Sequence, residues 1–420
     1  MEMTKYKLGD IAKTGSGGTP KSTVAEYYEN GNIPWINSGE LNNPFISTTS
    51  NFITQKGYDN SSAKLFPPQT VLLAMYGATA GKASLLEFEA CTNQAICAIM
   101  PNQDILLPRF LKYKLDTMYN YLVGLSTGSA RDNLSQDGIK ALELCIPPLS
   151  EQKKIASVLS ALDDKIALNK KMNQKLEAMA KRLYDYWFVQ YDFPDKNGRP
   201  YKTTGGPMTY NPTLKREIPV GWEVKQICDI TKIFNGSTPS TTEEENYGGE
   251  IVWITPKDLS DQNCKFVYQG ARNITQAGYD SCSTTMVPKG TVVMSSRAPI
   301  GLLSIAQCDL CTNQGFKNMV PNDMTDSKYL YYTIQQHIPQ IQNLGTGTTF
   351  KEVSKDELGR FAILYPPKKL IATFEEKVAP IFDVQFNKVK EISRLTTLRD
   401  KLLPLLMNGQ VEVGKKKDGL

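Results

Sequence analysis

Residues 149–156 read Leu149-Ser150-Glu151-Gln152-Lys153-Lys154-Ile155-Ala156 and begin a long helical pattern that divides the chain. Ser150 is a suitable N-cap ahead of the acidic Glu151. From Ile155 onwards apolar residues recur every three or four positions, and neither Gly nor Pro occurs within residues 149–190. At about 1.5 Å per residue this helix would be roughly 55–60 Å long, which is longer than an ordinary domain helix. The pattern therefore predicts a long helix with a narrow apolar stripe.

The apolar stripe of this helix is close to a heptad pattern with one phase slip near Asn169. Its members are Ile155, Leu159, Leu162, Ile166, Met172, Leu176, Met179 and Leu183. A corresponding segment ends the second half of the chain, with an apolar face of Phe374, Val378, Ile381, Ile392, Leu395, Leu398, Leu402 and Leu405. Pro380 and Pro404 are expected to kink this second helix or to shift its start, and Gln385 and Lys388 weaken its stripe.

Two long helices with narrow apolar stripes are natural coiled-coil partners, because one domain alone cannot cover a stripe of this length. The alternative is that each helix packs only on its own domain. The residues predicted to form the interface are Ile155, Leu159, Leu162, Ile166, Met172, Leu176, Phe374, Val378, Ile381, Ile392 and Leu395.

The same short motifs occur twice in the chain, at a shift of 219 positions (238 − 19) or close to it. Gly17-Gly18-Thr19-Pro20 recurs as Gly236-Ser237-Thr238-Pro239, and Thr92-Asn93-Gln94 recurs as Thr312-Asn313-Gln314. The shared residues are mostly Gly, Pro, aromatic and small polar residues, which set turns and packing. A repeat of this length predicts two similar folded units that share a scaffold and differ in their surfaces.

Each copy combines short β-rich apolar runs with a helical segment, which predicts a mixed α/β fold. Residues 70–76 and 95–100 are such runs in the first copy, and a helix is expected after Pro108. The predicted organisation is a first domain at 1–148, a long helix at 149–190, a Pro- and Gly-rich linker at 191–220, a second domain at 221–367, a second long helix at 368–412 and a basic tail at 413–420.

The composition is that of an ordinary globular protein, with 420 residues, 22% charged residues and a net charge of +5. This charge does not itself demand nucleic acid, but clustered Lys and Arg residues can still hold DNA. No apolar run approaches 18 residues, and the N-terminus does not resemble a signal peptide, so a cytoplasmic location without membrane association is expected. Eight scattered cysteines suit a reducing compartment.

No constellation of catalytic or metal-binding residues recurs in both copies. A zinc site at Cys308-x-x-Cys311 would need two further ligands, for which only Cys264 and Cys282 are plausible in this half, so structural thiols are favoured. His337 is the only histidine, and its surroundings resemble a helix face. No catalytic residue and no metal are therefore expected, although an enzyme with an unrecognised site stays open as an alternative.

Residues 77–82 resemble a phosphate-binding loop only superficially. Three residues instead of four separate Gly77 from Gly81, and Ala83 stands where Ser or Thr would follow Lys82. Nucleotide binding is therefore not predicted.

The segment Pro147–Ala156, followed by Leu162-Asp163-Asp164-Lys165-Ile166, resembles the central conserved region of specificity subunits of type I restriction–modification systems. Trp187-Phe188, Pro219-x-Gly221-Trp222 and the duplicated motifs extend this resemblance over essentially the whole chain.

The resemblance implies two target recognition domains, each reading one half of a split DNA sequence, separated by two long helices that pair as an antiparallel coiled coil. It implies a subunit without an active site of its own, within a site-specific endonuclease and adenine methyltransferase complex. The implied partners are double-stranded DNA, two modification subunits carrying S-adenosylmethionine and two restriction subunits using ATP and Mg²⁺. The alternative is a bivalent protein-binding scaffold without DNA specificity, and an affinity that falls steeply with salt would favour DNA.

Candidate DNA-contacting residues lie mainly in loops that differ between the two copies. Reading a sequence requires polar and cationic loop tips in the major groove, together with phosphate contacts that set the register. Residues 76–79 are expected to correspond to residues 296–299 in the repeat. The candidates are Lys21, Asn37, Ser38, Tyr76, Thr79, Thr127, Ser129, Arg131, Lys257, Ser296, Arg297, Thr346, Thr348 and Lys351. For the cationic candidates the alternative is a solvated surface charge, and the two duplicated motifs are assigned to the scaffold.

Overall fold

The computed structural model describes residues 2–127, 134–262, 264–345 and 351–414. The chain divides into two compact units, of which unit 1 comprises Met1–Asn169 and Glu391–Leu420 and unit 2 comprises Lys170–Lys390. The division runs through both long helices, because each helix contributes buried residues to the core of each unit. The domain limits expected from the sequence stay a prediction.

Unit 1 is built around a five-stranded sheet. In spatial order its strands are Ala12–Ser16, Ile96–Pro101, Val71–Ala74, Ala83–Leu86 and Phe45–Ile46. Neighbouring strands are antiparallel except for the last, which runs parallel to its neighbour. Alternate side chains of the central strands enter two different clusters, so Leu73 packs with Phe110 on one face and Leu72 packs with Ile36 on the other.

The other elements of unit 1 surround this sheet. Thr4–Lys7 pairs with Glu143–Ile146, and a smaller four-stranded sheet contains Phe52–Ile53, Ile33–Ile36, Ala90–Thr92 and Leu65–Phe66. The short helices are Leu8–Ile11, Gln55–Asp59, Pro108–Thr117, Tyr119–Thr127 and Gln136–Lys140, with 3₁₀ turns at Ala25–Tyr27 and Ser38–Asn42.

Unit 2 repeats the same sheet in the same order. Its strands are Thr231–Asn235, Phe316–Pro321, Val292–Ser295, Leu303–Ala306 and Phe266–Val267. The pairing of Thr231 with Pro321 reproduces the pairing of Ala12 with Pro101 in unit 1. The duplicated motifs of the sequence thus correspond to a duplicated fold, and the predicted mixed α/β class is confirmed.

The remaining elements of unit 2 are further strands and helices. The strands are Met208–Asn211, Arg216–Pro219, Glu223–Gln226, Tyr247–Ile251, Trp253–Ile254, Cys311–Thr312 and Ala362–Tyr365. The helices are Ile227–Ile230, Pro256–Gln262, Gln276–Asp280, Ser327–Leu344 and Lys355–Arg360, with 3₁₀ turns at Glu244–Asn246 and Met324–Asp326.

The two long helices are continuous where the sequence predicted them. The first spans Leu149–Tyr184 and is followed by a π-helical turn at Asp185–Val189, and the second spans Lys368–Met407. The second helix continues through Pro380 and Pro404 and begins at Lys368, so neither proline shifts its start. Both prolines are exposed, and on that face water can satisfy the carbonyl groups that lose a backbone partner.

The helices run antiparallel within unit 1. Arg399 Nη1 lies 2.9 Å from Asp163 Oδ1. Further along, Ile155 and Leu159 of the first helix belong to the same buried cluster as Leu406 of the second. Lower residue numbers on one helix therefore meet higher numbers on the other.

The same order holds within unit 2. Gln385 Nε2 donates to the carbonyl oxygen of Asn173 over 3.2 Å. The rings of Phe374 and Tyr184 are 6.0 Å apart, which places an earlier residue of the second helix against a later residue of the first. Antiparallel pairing is therefore present in each unit, as predicted.

The buried face of the first helix differs from the predicted stripe in its second half. The face comprises Ile155, Leu159, Asp163, Ile166, Asn169, Ala180 and Tyr184, which are buried, and Asn173 and Glu177, which are partly buried. These residues advance 29 positions in eight steps (184 − 155), or about 3.6 per step, the period of a straight α-helix. Met172 is 39% exposed and Met179 is 56% exposed, so the placement of Met172 in the interface was wrong.

Most of the other predicted interface residues are at least partly buried. Ile155, Leu159, Ile166, Phe374 and Val378 are buried, whereas Leu162, Leu176, Ile381, Ile392 and Leu395 are partly buried. The interface also holds polar groups, because Asp163 and Gln385 are both buried.

Candidate nucleic-acid interface

In unit 1 the two duplicated motifs bind each other. The backbone N–H of Gly18 donates to the carbonyl of Thr92 over 2.9 Å, and the hydroxyl of Thr19 bonds the side chain of Gln94. The indole N–H of Trp35 donates to the carbonyl of Gly18 over 3.0 Å. A Cβ atom on Gly17 would lie 1.9 Å from the Thr92 carbonyl oxygen, so only glycine allows this approach.

Unit 2 repeats this arrangement with its own residues. The N–H of Ser237 donates to the carbonyl of Thr312 over 2.9 Å, and Thr238 bonds Gln314. Trp253 Nε1 donates to the carbonyl of Ser237 over 3.1 Å. The shared motifs therefore hold the start of each domain against its sheet, which is a structural role.

Removing the Thr238 hydroxyl is expected to destabilise unit 2 by about 1 kcal/mol, the usual net contribution of one hydrogen bond. Thr238→Val keeps the shape of the side chain and deletes its bond to Gln314. Urea unfolding followed by tryptophan fluorescence measures the change. Thr241→Val, at an exposed position nearby, is the matched control, and equal stabilities for the two variants would contradict the structural role.

The variable loops of unit 2 meet at one end of its sheet, where four segments join. The N–H of Ser296 donates to the carbonyl of Gly315 over 2.8 Å, and the N–H of Val353 donates to the carbonyl of Ser296 over 3.0 Å. Asn313 N bonds the carbonyl of Ile254, which precedes the helix that carries Lys257. We call this surface, formed by residues 255–258, 296–301, 313–315 and 351–353, the loop end of unit 2.

Unit 1 has a corresponding loop end, formed by residues 37–42, 75–81, 93–95 and 134. Met75 N bonds the carbonyl of Ala95 over 2.8 Å, and Leu134 N bonds the carbonyl of Met75 over 3.1 Å. Because these bonds match those of Ser296, Met75 corresponds to Ser296. Tyr76 therefore corresponds to Arg297, at a shift of 221 positions (297 − 76).

The expected pairing of residues 76–79 with residues 296–299 is thus corrected by one position. The bond from Gly81 N to the Ala74 carbonyl closes one loop, and the bond from Gly301 N to the Ser295 carbonyl closes the other. The loop of unit 1 therefore contains one residue more than the loop of unit 2. The pairing expected from the sequence placed this extra residue at the wrong end of the loop.

Two predicted DNA-contacting residues are buried and belong to the scaffold. Ser296 is 0% exposed, and Thr79 is buried with its hydroxyl donating to the carbonyl of Ser38 over 2.9 Å. Neither side chain can reach DNA in this conformation, so both assignments are corrected. The sequence could not show this, because small polar residues occur equally in turns and on reading surfaces.

Asn37, Ser38 and Tyr76 are partly buried at the loop end of unit 1. The Asn37 side chain accepts a hydrogen bond from Gly39 N over 2.9 Å and so caps the turn Ser38–Asn42. This bond fixes the shape of the turn. Contact of the three residues with DNA stays a prediction.

Four cationic candidates are exposed: Lys21 in unit 1, and Lys257, Arg297 and Lys351 in unit 2. Lys257, Arg297 and Lys351 lie on or beside the segments that form the loop end of unit 2. Thr127 ends the helix Tyr119–Thr127. The remaining candidates, Ser129, Arg131, Thr346 and Thr348, lie outside the described residues.

The loop end of unit 2 also contains an ion-pair network that the sequence did not predict. Glu352 Oε2 accepts from Arg297 Nε over 2.9 Å, and Glu352 Oε1 lies 3.2 Å from Lys317 Nζ. Partial burial alone would raise the pKa of Glu352, but the hydrogen bonds from Arg297 and Lys317 lower it below its usual value. The sequence contained one indication of this network, because Lys317 lies in the otherwise uncharged strand Phe316–Pro321.

The residues considered for catalysis are held in structural positions. The eight cysteines form no disulfide, and burial raises the pKa of the Cys91, Cys97 and Cys311 thiols to about 12. His337 Nδ1 lies 2.7 Å from the carbonyl oxygen of Thr333, and burial lowers the pKa of its ring. Within the described ranges, no three His, Cys, Asp or Glu side chains are grouped as metal ligands.

None of the helices in the described part of the chain has the length and the hydropathy needed to span a membrane.

Comparison with known proteins identifies the family. The family described as "Type I restriction modification DNA specificity domain" matches residues 1–178 and 219–392. The type I restriction enzyme MjaIX specificity subunit of Methanocaldococcus jannaschii is 30% identical over 419 residues, which cover 97% of this chain and 93% of that protein. The HindI specificity subunit of Haemophilus influenzae is 26% identical, with 97% of this chain and 99% of that protein covered.

A solved structure shows the same fold. The crystal structure of the S subunit of a type I restriction–modification system from M. genitalium matches with a TM-score of 0.61 at 16% identity, covering 97% of this chain and 96% of that one. The chain therefore belongs to the family of type I restriction–modification DNA specificity proteins.

Proposed function

We propose that this chain is the DNA sequence-recognition subunit of a type I restriction–modification complex, in which each loop end reads one half of a split target. The observation that carries this proposal is the repeat itself. The same sheet and the same motif contacts occur in both units, whereas Tyr76 stands at one loop end where Arg297 stands at the other. A shared scaffold with different tips suits the reading of two different half-sequences.

The long helices are proposed to fix the distance between the two half-sequences. A helix has a defined rise per residue, whereas a flexible linker would allow many spacings. Half-sites on one face of B-DNA are separated by about 34–36 Å for each helical turn of the DNA. The antiparallel contacts within each unit support this role, because they set the register of the two helices.

The chain is proposed to act without catalysing a reaction itself. Its relatives are named as specificity subunits of restriction enzymes. Such a subunit would select the DNA sequence at which other subunits perform the chemistry. The proposed partners are double-stranded DNA, two modification subunits that carry S-adenosylmethionine and two restriction subunits that use ATP and Mg²⁺. The proposed location is the cytoplasm.

The experiment that tests the function is the methylation pattern of host DNA with and without this gene. We expect a methylated motif split by unspecified bases when the gene is present together with its modification partner. The same motif should be missing when only this gene is deleted. A methylation pattern that is identical in the two strains would count against the proposed function.

A further inference from the structure

Lys317 is a charged residue inside the sheet of unit 2. It lies on the inner strand Phe316–Pro321, next to Met294 of the neighbouring strand, and only 6% of its side chain is exposed. A buried ammonium group is costly unless an anion compensates it. Glu352 supplies that anion, with Oε1 at 3.2 Å from Lys317 Nζ.

Because it compensates a buried charge, Glu352 is held more firmly than an ordinary surface carboxylate. The backbone adds to this, since Glu352 pairs with Arg297 as an isolated antiparallel bridge and Val353 N bonds the Ser296 carbonyl. The second carboxylate oxygen, Oε2, is therefore presented at a fixed point of the loop end.

Arg297 is bound at that point through its Nε atom, at 2.9 Å, while 48% of its side chain stays exposed. Among the described residues, the bond from Nε to Glu352 is the only hydrogen bond of the Arg297 side chain, so Nη1 and Nη2 have no partner there. A guanidinium held at Nε keeps the paired N–H groups of Nη1 and Nη2 for a ligand, and part of its side-chain entropy is already lost before binding.

The repeat supplies an internal comparison. In unit 1 the positions of Arg297 and Lys317 are occupied by Tyr76 and Cys97, as the hydrogen bonds of Met75 and the pairing of Cys97 with Ser16 show. The scaffold therefore does not need this network for its fold. Among the described residues of the two copies, this network occurs only in unit 2, as expected of a device for sequence discrimination.

We propose that Arg297 reads a guanine in the half-site of unit 2, and that Glu352 and Lys317 are positioning residues that orient its guanidinium. This inference rests on the proposed function. Guanine is the base that presents two adjacent acceptors, O6 and N7, in the major groove, and arginine donates to both. The other base pairs would leave a guanidinium donor unpaired or facing another donor, and so they would be rejected.

The test uses the full-length chain in complex with its modification subunits, on duplexes carrying the motif found by methylation mapping. Each guanine of the unit 2 half-site is replaced in turn by 7-deazaguanine, which lacks only the N7 acceptor. One position is expected to weaken binding by the wild-type complex severalfold, because the replacement removes one of the two acceptors of a bidentate contact that is worth about 5- to 150-fold as a whole. At that position, 7-deazaguanine should not weaken DNA binding by the Arg297→Ala complex any further. The substitution has already removed the contact that 7-deazaguanine would break.

The variant Glu352→Gln tests whether Glu352 orients the Arg297 side chain or only stabilises the fold. It keeps the shape of the side chain but weakens its hold on Arg297, so the 7-deazaguanine penalty should shrink severalfold while the other half-site is read as before. Arg199→Ala is the matched control, because Arg199 is also an exposed arginine paired with a carboxylate, Asp195, but lies in the linker. It should leave every penalty unchanged.

The outcomes distinguish this inference from the proposed function. If Arg297→Ala weakens binding equally for all sequences and lowers its salt dependence, Arg297 contacts phosphate, and the inference is overturned. If Arg297→Ala keeps the full 7-deazaguanine penalty, the inference is also overturned while the split motif still supports the function. A wild-type complex that shows no split motif would instead overturn the function itself.

Discussion

Eleven residues inserted into both long helices are expected to lengthen the gap in the recognised sequence and to leave both half-sequences unchanged. The insertion adds about 16 Å of helix, which corresponds to up to about five base pairs of B-DNA at about 3.4 Å each. Methylation of the original sites should be lost completely, because the two domains can no longer engage both half-sites at the old spacing. Methylation mapping of the variant gives the new gap directly.

The buried faces of the helices explain the choice of eleven residues. In the first helix Ile155, Ile166 and Glu177 are separated by eleven positions, and so are Phe374 and Gln385 in the second. At 3.6 residues per turn, an insertion of this length turns the following part of each helix by only about 20°, so both buried faces return nearly to register. The insertions belong between residues 169 and 170 and between residues 390 and 391, where the compact units divide.

The control is an insertion of five residues at the same two points. Five residues turn the following part of a helix by about 140°, so the buried face would point away from its partner and pairing should fail. This variant should methylate neither the old nor a new motif. A gap that stays the same in a folded, active eleven-residue variant would refute the role of the helices in spacing.

The sequence was sufficient to predict the two long helices and the duplicated α/β fold. These features depend on periodicity, turn residues and internal repetition, all of which are local. The buried face of the first helix was harder to predict, because Met172 and Met179 look more apolar than Asn173 and Glu177.

Glu177 accepts hydrogen bonds from Gln385 and Lys265 within unit 2, so its burial is compensated by groups far away in the sequence. Burial also lowers the pKa of Lys265 to about 8, despite the opposing effect of Glu177. A hydropathy pattern has no access to such tertiary partners.

The loop ends show the same limit. Arg297 was identifiable as an exposed cation in a variable loop, but its orientation depends on Glu352, which is 55 positions away. The buried state of Ser296 likewise follows from backbone bonds to Gly315 and Val353. These are long-range pairings, which a single sequence does not reveal.

Phe374→Ala is expected to destabilise unit 2 by about 3–5 kcal/mol, the usual cost of removing a buried phenylalanine side chain. Phe374 is fully buried in an aromatic cluster, with ring centroids 5.1 Å from Phe188, 6.0 Å from Tyr184 and 6.1 Å from Trp187. This cluster joins both long helices to the core of unit 2. Its loss leaves a cavity that the rigid rings of the first long helix and of its π-helical turn cannot easily fill.

The measurement is urea unfolding followed by tryptophan fluorescence in a Trp35→Phe background, so that the remaining Trp187, Trp222 and Trp253 all report on unit 2. Val384→Ala is the matched control on the same helix, because Val384 is 42% exposed and its change should stay within about 0.5 kcal/mol. If Phe374→Ala lost no more stability than this control at an unchanged denaturant dependence, the cluster would not be what fastens the helices to unit 2. A loss of the expected size would instead show that the cluster fastens both helices to the core of unit 2, as a fixed spacing between two half-sites requires.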